Sequence, residues 1–299
     1  MSNKVRKPKS FGIWGNTDKP RFWELLDPIM IWAADNNLKP FLTTRILNQL
    51  PDGFDYEYQT IDSAEDFYQT DFLLALGGDG TMLSAARAVA HRKTPILGIH
   101  LGQLGFMAEV TVDEMFDRLK MVVSGQYSLQ RRMVLKAEII NGNGPTVFYA
   151  LNDFVIDRGR SQRIITMRLL SNDHFVSDYK ADGLIIATPT GSTAYSLSVG
   201  GPIVMPKLKA IVVSPISPHT LSLRPIVLPD DRSLELSFPE EEVEKIAFAV
   251  DGQVSEYLKP KDKIYIQRAP FEIRMIDFED SNYFQTLRRK MGWGKRGET

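Results

Sequence analysis

The hydrophobic pattern of roughly the first 125 residues alternates between short apolar runs and segments with helical spacing. Apolar runs at residues 38–43, 72–76 and 96–99 predict buried strands. The segments around them repeat apolar side chains every three or four positions, which predicts helices that each bury one face. These helical stripes comprise Phe22, Leu25, Leu26, Ile29 and Ala33; Met82, Ala85, Ala86 and Val89; and Val112, Met115, Phe116, Leu119 and Val122. Such alternation predicts a parallel α/β domain.

Four residues suggest where these helices begin or break. We expect Asp18 to cap the first helix and Pro28 to kink or split it. Thr111 with Glu114 three residues later forms a capping box, so we expect the last helix of this half to begin at Thr111.

The pattern changes near residue 133, where apolar and polar side chains begin to alternate one by one. The alternation covers residues 133–139, 165–169 and 234–238, and it is typical of half-buried antiparallel strands. It predicts a β-rich second half with two layers of sheet. We place the domains at residues 1–129 and 130–270, with residues 271–299 as a C-terminal segment that packs back on the first domain.

Composition narrows the classes of protein. The chain of 299 residues has no cysteine, which excludes disulfides and a cysteine nucleophile. Its 36 Lys and Arg residues nearly balance 37 Asp and Glu residues, so nothing indicates a nucleic-acid partner. We find no apolar signal core and no run long enough to cross a membrane. We therefore expect a cytoplasmic protein without a membrane partner.

A glycine-rich loop follows the apolar run 72–76 and consists of Gly77, Gly78, Asp79, Gly80 and Thr81. A strand that runs into glycines and then a helix brings backbone N–H groups to a helix N-terminus, which favours phosphate. The charge of Asp79 would repel phosphate, unless Asp79 accepts a proton or works with a metal. The alternative is a plain strand-to-helix turn in which Asp79 caps the helix.

Several common motifs are missing. The chain has no Gly-x-x-x-x-Gly-Lys-Ser/Thr sequence and no Gly-x-Gly-x-x-Gly after its first strand, which disfavours a P-loop NTPase and a standard dehydrogenase. Its four histidines lack ligand spacing. We therefore predict no metal site built from protein side chains.

A second loop, residues 188–196, follows the apolar run 184–187 and is rich in hydroxyl groups. Hydroxyls and backbone N–H groups suit ribose and phosphate, Ala194 permits close approach, and Tyr195 can lie against a base or ring. We expect a helix to start in this loop. The alternative is a Ser/Thr-rich helix cap with Tyr195 in the core.

These motifs, in this order and spacing, resemble the ATP-NAD kinase family. The resemblance spans about residues 70–255, and its motifs lie at residues 77–81, 102–106, 152–153, 181–183, 188–195 with 200–202, 217–221, 224–226 and 251–253. The Gly-Gly-Asp-Gly-Thr loop alone is shared with diacylglycerol and sphingosine kinases. A lipid kinase is therefore one alternative, and a dinucleotide-binding sensor without turnover is another.

The resemblance implies a Rossmann-like N-terminal domain that binds phosphate and ATP, and a β-sandwich-like C-terminal domain that binds NAD. It implies transfer of the γ-phosphoryl group of ATP to the 2′-hydroxyl of the adenosine ribose of NAD, giving NADP. A divalent metal, magnesium or manganese, would bind with ATP. The family also implies a homo-oligomer, a dimer or a homotetramer, in which a neighbouring subunit completes the NAD site.

The same resemblance and the local chemistry give candidate site residues. Asp79 is the candidate general base, and the candidates for binding ATP phosphates are Gly77, Gly78, Gly80 and Thr81. The candidate NAD-binding residues are Asp79, Gly80, Phe106, Asn152, Asp153, Lys180, Asp182, Thr190, Thr193, Ala194, Tyr195 and Ser198. A solvated lysine at a strand end is the alternative for Lys180. Asp153 and Leu223 depart from the family, which usually has Glu and Asn at these positions.

Overall fold

The computed structural model describes residues 7–102, 104–141, 144–161, 163–239 and 246–292. The chain divides into two units. Unit 1 consists of Met1–Arg131 with Ile273–Thr299, and unit 2 of Arg132–Glu272. Each unit has its own hydrophobic core.

The helices and strands follow one another in this order. The first part contains β1 (Ser10–Gly15), α1 (Pro20–Asp35), β2 (Lys39–Thr43), α2 (Thr44–Leu47), β3 (Gln59–Ile61), β4 (Phe72–Gly77), α3 (Asp79–Val89), β5 (Ile96–His100), β6 (Val110–Thr111) and α4 (Met115–Ser124). The second part contains β7 (Ser128–Asn141), β8 (Gly144–Ala150), β9 (Asp153–Asp157), β10 (Ile165–Ser171), β11 (His174–Ala181), β12 (Gly183–Ala187), α5 (Tyr195–Ser198), β13 (Ala210–Ile216), β14 (Ile226–Pro229), β15 (Leu234–Ser237), β16 (Ile246–Val250), β17 (Val254–Leu258), β18 (Lys263–Asp277) and α6 (Tyr283–Met291).

Unit 1 is built on a parallel sheet with the strand order β5-β4-β1-β2-β3. The chain runs outward from β1 through β2 to β3, then returns to the other side of β1 with β4 and β5. The strand order therefore reverses between β1 and β4, which is where open α/β sheets usually bind ligands at their carboxyl ends. The end of β18 adds to this sheet, because Met275 pairs with Ile96 of β5.

Unit 2 is largely antiparallel sheet. One six-stranded sheet has the order β14-β13-β12-β9-β16-β17, and another group pairs in the order β11-β10-β15-β18. Alternate side chains of both pack into one core, which includes Met167, Leu236, Phe154 and Phe248. The predicted fold class, an α/β N-terminal part and a β-rich C-terminal part, is confirmed.

The predicted helix ends need correction. Lys19 rather than Asp18 is the N-cap of α1, and Asp18 instead pairs with Arg45 at 3.2 Å. Pro28 does not split α1. It lies on the exposed side of the helix, where the carbonyl group that loses its hydrogen bond can face water.

The helix predicted at Thr111 begins later than expected, whereas the helix predicted in the loop after β12 does start there. Thr111 and Glu114 do form reciprocal hydrogen bonds of 3.1 and 3.2 Å, but α4 begins only at Met115. The expectation that a helix starts in the loop after β12 is confirmed, because a 3₁₀ turn at Gly191–Thr193 is followed by α5, a single turn that begins at Tyr195.

Candidate functional site

The glycine-rich loop after β4 lies at the carboxyl end of the sheet in unit 1. Gly77 ends β4, Gly78 is the N-cap of α3, and α3 begins at Asp79. A Cβ atom on Gly77 would lie 2.1 Å from Oγ1 of Thr81, so this tight turn requires glycine. A Cβ atom on Gly78 or Gly80 would meet only open space. A ligand can therefore approach the N-terminus of α3, where the helix dipole favours an anion.

The side chain of Asp79 does not cap α3. Its carboxylate accepts hydrogen bonds from the backbone N–H groups of Phe106 and Met107, both at 3.0 Å. A Cβ atom on Gly105 would lie 2.0 Å from Oδ1 of Asp79, so the loop can approach the carboxylate only because residue 105 is glycine. The structure thus contradicts the simple capping alternative, since the carboxylate is fixed against a second loop.

A cavity of about 730 Å³ opens beside this loop within unit 1. Its lining includes Gly78, Gly80 and Thr81, together with Trp14 from β1 and Lys19 from the start of α1. The size lies within the range of small-molecule and cofactor sites. The cavity also lies at the reversal of strand order, so sheet topology and the phosphate loop indicate the same site.

The walls of the cavity differ in chemistry. Nε1 of Trp14 donates a hydrogen bond to Oγ of Ser84 at 3.0 Å, and the Trp14 ring lies 6.2 Å from the ring of Phe67. Within the described parts of the chain the side chain of Lys19 forms no ion pair, whereas Arg45 is paired with Asp18. An aromatic surface and a cation therefore lie in the same cavity as the phosphate loop.

In unit 2, the segment of residues 151–153 interlocks with the loop that follows β12. Oγ1 of Thr188 donates a hydrogen bond to the carbonyl oxygen of Leu151 at 2.6 Å. The backbone N–H of Thr188 donates to the carbonyl oxygen of Asn152 at 2.8 Å. A Cβ atom on Gly191 would lie 2.1 Å from the carbonyl oxygen of Asn152. The two loops are therefore held in close backbone contact, which brings Asn152 and Asp153 beside the hydroxyl-rich loop.

Asp153 is deeply buried, with 4% of its surface exposed. Burial, and after it the negative charge of Asp251, raise the pKa of Asp153 from 3.8 to about 7. A carboxyl group with such a pKa exchanges its proton near neutral pH. Strongly perturbed carboxyl groups are common in functional sites, although structural pairs also produce them.

The hydroxyl-rich loop separates into a buried set and an accessible set. Oγ of Ser192 donates to Pro189 and accepts from the N–H of Val204, and Oγ of Ser196 contacts that of Ser214. These buried hydroxyls hold the loop itself. The candidates Thr193 and Ala194 are half-buried and Ser198 is exposed.

Two candidates in this loop have distinctive surroundings. Tyr195 is 45% exposed, so the alternative that places it in the core is wrong. Thr190 is 6% exposed, and its Oγ1 is buried without a hydrogen-bond partner among the described residues. Buried hydroxyls normally have a partner, so a ligand or a water is expected at this atom.

The remaining candidates for NAD binding lie outside residues 151–153 and outside the hydroxyl-rich loop. Phe106 is half-buried, with Nζ of Lys290 5.9 Å from its ring centre. Lys180 is exposed at the end of β11, and Asp182 forms an ion pair with Arg158 at 3.1 Å. Leu223 packs against the core of unit 2. Gln103, which belongs to one of the sequence motifs, lies outside the described residues.

The described residues offer neither a cluster of metal-binding side chains nor a membrane-spanning helix. Among these residues, no group of three or more His, Cys, Asp and Glu side chains is arranged to hold a metal ion. In the same part of the chain, no helix combines the length and the apolar character needed to cross a membrane.

Comparison with known proteins gives a consistent family. The family model described as the ATP-NAD kinase N-terminal domain matches residues 28–127, and the ATP-NAD kinase C-terminal domain matches residues 151–278. An NAD kinase from Caldanaerobacter subterraneus subsp. tengcongensis is 38% identical over 284 residues, which cover 95% of this chain and 99% of that protein. An NAD kinase from Magnetococcus marinus is 42% identical over 226 residues, 75% of this chain and 74% of that protein.

Solved structures agree with the sequence comparisons. A crystal structure of yeast NADH kinase complexed with NADH has a TM-score of 0.90 at 25% identity and covers 98% of this chain and 90% of that one. An NAD kinase from Archaeoglobus fulgidus in complex with ATP has a TM-score of 0.72 at 22% identity, with 94% and 99% covered, and shows likeness of fold. Because both domain models and relatives of nearly full length match, this chain belongs to the ATP-NAD kinase family.

Proposed function

We propose that this chain is an ATP-dependent NAD kinase that phosphorylates the 2′-hydroxyl of the adenosine ribose of NAD and so produces NADP. Family membership supports the activity. The single structural observation that carries the mechanism is Asp79, a carboxylate fixed by two backbone N–H groups beside a phosphate-binding loop. The comparisons favour this reaction over the lipid kinase alternative.

The donor, ATP, is assigned to the cavity of unit 1. Its phosphates would lie at Gly77, Gly78, Gly80 and Thr81, at the N-terminus of α3. Lys19 supplies a cation in the same cavity. Trp14 offers an aromatic surface that suits the base of a nucleotide. Trp14 and Lys19 precede the matched N-terminal domain model, which begins at residue 28.

The acceptor, NAD, is assigned to the candidate residues named from the sequence. They are Asp79, Gly80, Phe106, Asn152, Asp153, Lys180, Asp182, Thr190, Thr193, Ala194, Tyr195 and Ser198. The unpartnered hydroxyl of Thr190 and the exposed ring of Tyr195 support this assignment. Asp182 is paired with Arg158 at 3.1 Å, so in this assignment it would contact NAD while it keeps that partner.

Asp79 is assigned as the general base. In the reaction, the 2′-oxygen of the ribose forms a bond to the γ-phosphorus while the bond to the bridging oxygen breaks, which releases ADP. The hydroxyl proton passes to Asp79. Each oxygen of this carboxylate accepts one backbone N–H, so each retains a lone pair that can receive the proton. The N–H groups also fix the direction of the carboxylate before the substrate arrives.

A divalent metal, magnesium or manganese, would neutralise the charge on the phosphates of ATP. Magnesium in kinases is held mainly by substrate phosphates with one or two carboxylates. Asp18 and Asp62 line the same cavity, and the cavity therefore fits a metal that enters with ATP. A cytoplasmic location and assembly into a homotetramer stay predictions.

Incubation of the purified protein with ATP, magnesium and NAD tests the activity, with NADP detected by a dehydrogenase that accepts only NADP. We expect NADP to form, and we expect no phosphorylation of diacylglycerol or sphingosine. A protein that binds NAD without forming NADP would support the sensor alternative instead.

Asp79→Asn tests the assignment of the base. We expect kcat to fall by roughly 10²- to 10⁴-fold, with NAD affinity changed much less. Gly105→Ala is a companion variant, because its Cβ would displace the carboxylate of Asp79 from this contact without removing the carboxylate itself. The assignment is wrong if Asp79→Asn retains near-wild-type kcat.

A further inference from the structure

Asp251 lies in the tight turn between β16 and β17. Its φ is +49°, that of the following Gly252 is +65°, and the N–H of Gln253 donates to the carbonyl oxygen of Val250 at 2.9 Å. Positive φ at both central residues is the type I′ pattern, for which Asn-Gly and Asp-Gly are the favoured sequences. The turn alone therefore does not require a carboxylate, because asparagine would serve as well.

The carboxylate of Asp251 has a different set of contacts. Its oxygens accept the backbone N–H groups of Leu151 at 3.1 Å, Asn152 at 2.7 Å and Asp153 at 3.2 Å. The N–H of Asp251 donates in return to the carbonyl oxygen of Asp153 at 3.0 Å. One side chain thus ties down three successive N–H groups in a segment about 100 residues away in sequence.

The segment held in this way carries two of the residues assigned to NAD. Thr188 also holds it by donating hydrogen bonds to the carbonyl oxygens of Leu151 and Asn152, and Gly191 lets the loop approach the carbonyl group of Asn152 closely. The N–H groups of the same segment would have no such partner without Asp251. A charged acceptor suits three converging N–H groups, because hydrogen bonds to an ionised group are about twice as strong as neutral ones.

We propose that Asp251 is a positioning residue for NAD, whose carboxylate fixes the backbone of residues 151–153 so that Asn152 and Asp153 face the acceptor substrate. This inference rests on the proposed function. Asp251 acts through the segment it holds and is not assigned a contact with NAD. The negative charge that it brings near Asp153 is the electrostatic cost of this arrangement.

Asp251→Asn isolates the carboxylate from the turn. Asparagine suits the type I′ turn, but its amide group offers one acceptor oxygen and turns an N–H donor toward the N–H groups of the segment. We expect KM for NAD to rise by roughly 10- to 100-fold, which corresponds to the loss of hydrogen bonds to a charged group. KM for ATP should stay within about twofold, because the donor is assigned to unit 1.

Gly252→Ala is the matched control, because it strains the turn at a φ of +65° and keeps the carboxylate. We expect it to lower thermal stability while leaving KM for NAD within about twofold. Equal increases in KM for NAD in both variants would overturn the inference, since turn geometry would then explain them. A folded Asp251→Asn enzyme with unchanged KM for NAD would also overturn it.

Hydrogen exchange on the wild-type protein supplies a test that needs no folded variant. The amide protons of residues 151–153 should exchange slowly without NAD, and rapid exchange there would overturn the inference. If the proposed function is wrong, the wild-type protein will form no NADP, and this result is separate from the exchange of the amide protons. The exchange result would still report whether Asp251 holds the segment.

Discussion

Replacement of Asp153 by asparagine should remove a loss of stability that the wild-type protein undergoes as pH rises from acidic to alkaline values. Burial and then the charge of Asp251 raise the pKa of Asp153 from 3.8 to about 7. Between these two pH values the folded protein holds a proton that the unfolded chain has released. The free energy of unfolding therefore decreases as pH rises through this window, and above it the loss is constant.

The size of the effect follows from the difference of about 3 pKa units, at 1.36 kcal/mol each, which gives roughly 4 kcal/mol above pH 7. Between pH 5 and pH 8 the loss in the wild-type protein is roughly 3 kcal/mol. Asparagine has nearly the same shape and does not titrate, so Asp153→Asn avoids this loss. Its stability relative to the wild type should therefore increase by roughly 3 kcal/mol from pH 5 to pH 8.

Urea unfolding of both proteins at the two pH values, without NAD, measures this difference. The comparison cancels any constant cost of the substitution, because only the change with pH is used. Asp231→Asn, which removes an exposed carboxylate from the same unit, controls for the change in net charge. A difference between Asp153→Asn and the wild type that is the same at pH 5 and pH 8 would refute the reasoning.

Three further predictions concern the substrate sites and assembly. Ala194→Leu should abolish NAD binding in calorimetry while the protein stays folded, because Ala194 allows close approach; unchanged affinity would contradict this. Lys19→Ala should raise KM for ATP roughly tenfold in steady-state assays, whereas Lys39→Ala, at an exposed strand start, should not. Dilution below the assembly concentration should lower specific activity, and constant activity of a proven monomer would count against a shared site.

The sequence predicted the parts of the fold that depend on local pattern. Buried runs such as residues 72–76 became strands, and the change of period near residue 133 marks the start of the β-rich half. Helix ends were predicted less well. Asp18 has the right chemistry for a cap, but tertiary contact with Arg45 uses its carboxylate instead.

In the candidate site, too, the features set by local sequence could be predicted, and those set by tertiary contacts could not. The loop containing Asp79 was recognisable because its glycines and its carboxylate are adjacent in the chain. The contact between Asp251 and residues 151–153 was not, since it joins segments about 100 residues apart and depends on how β9 and β16 pair. Trp14 and Lys19 carried no motif, and only the folded sheet brings them to the phosphate loop.

The way in which Asp79 is held has a consequence for redesign of the enzyme. Its two hydrogen-bond donors are main-chain groups of Phe106 and Met107, which every amino acid except proline supplies. The side chain at position 106 can therefore change in size or polarity while the carboxylate keeps its orientation. If Phe106 packs near the adenine of NAD, variation at this one position offers a route to altered acceptor preference that leaves the proton-accepting group in place.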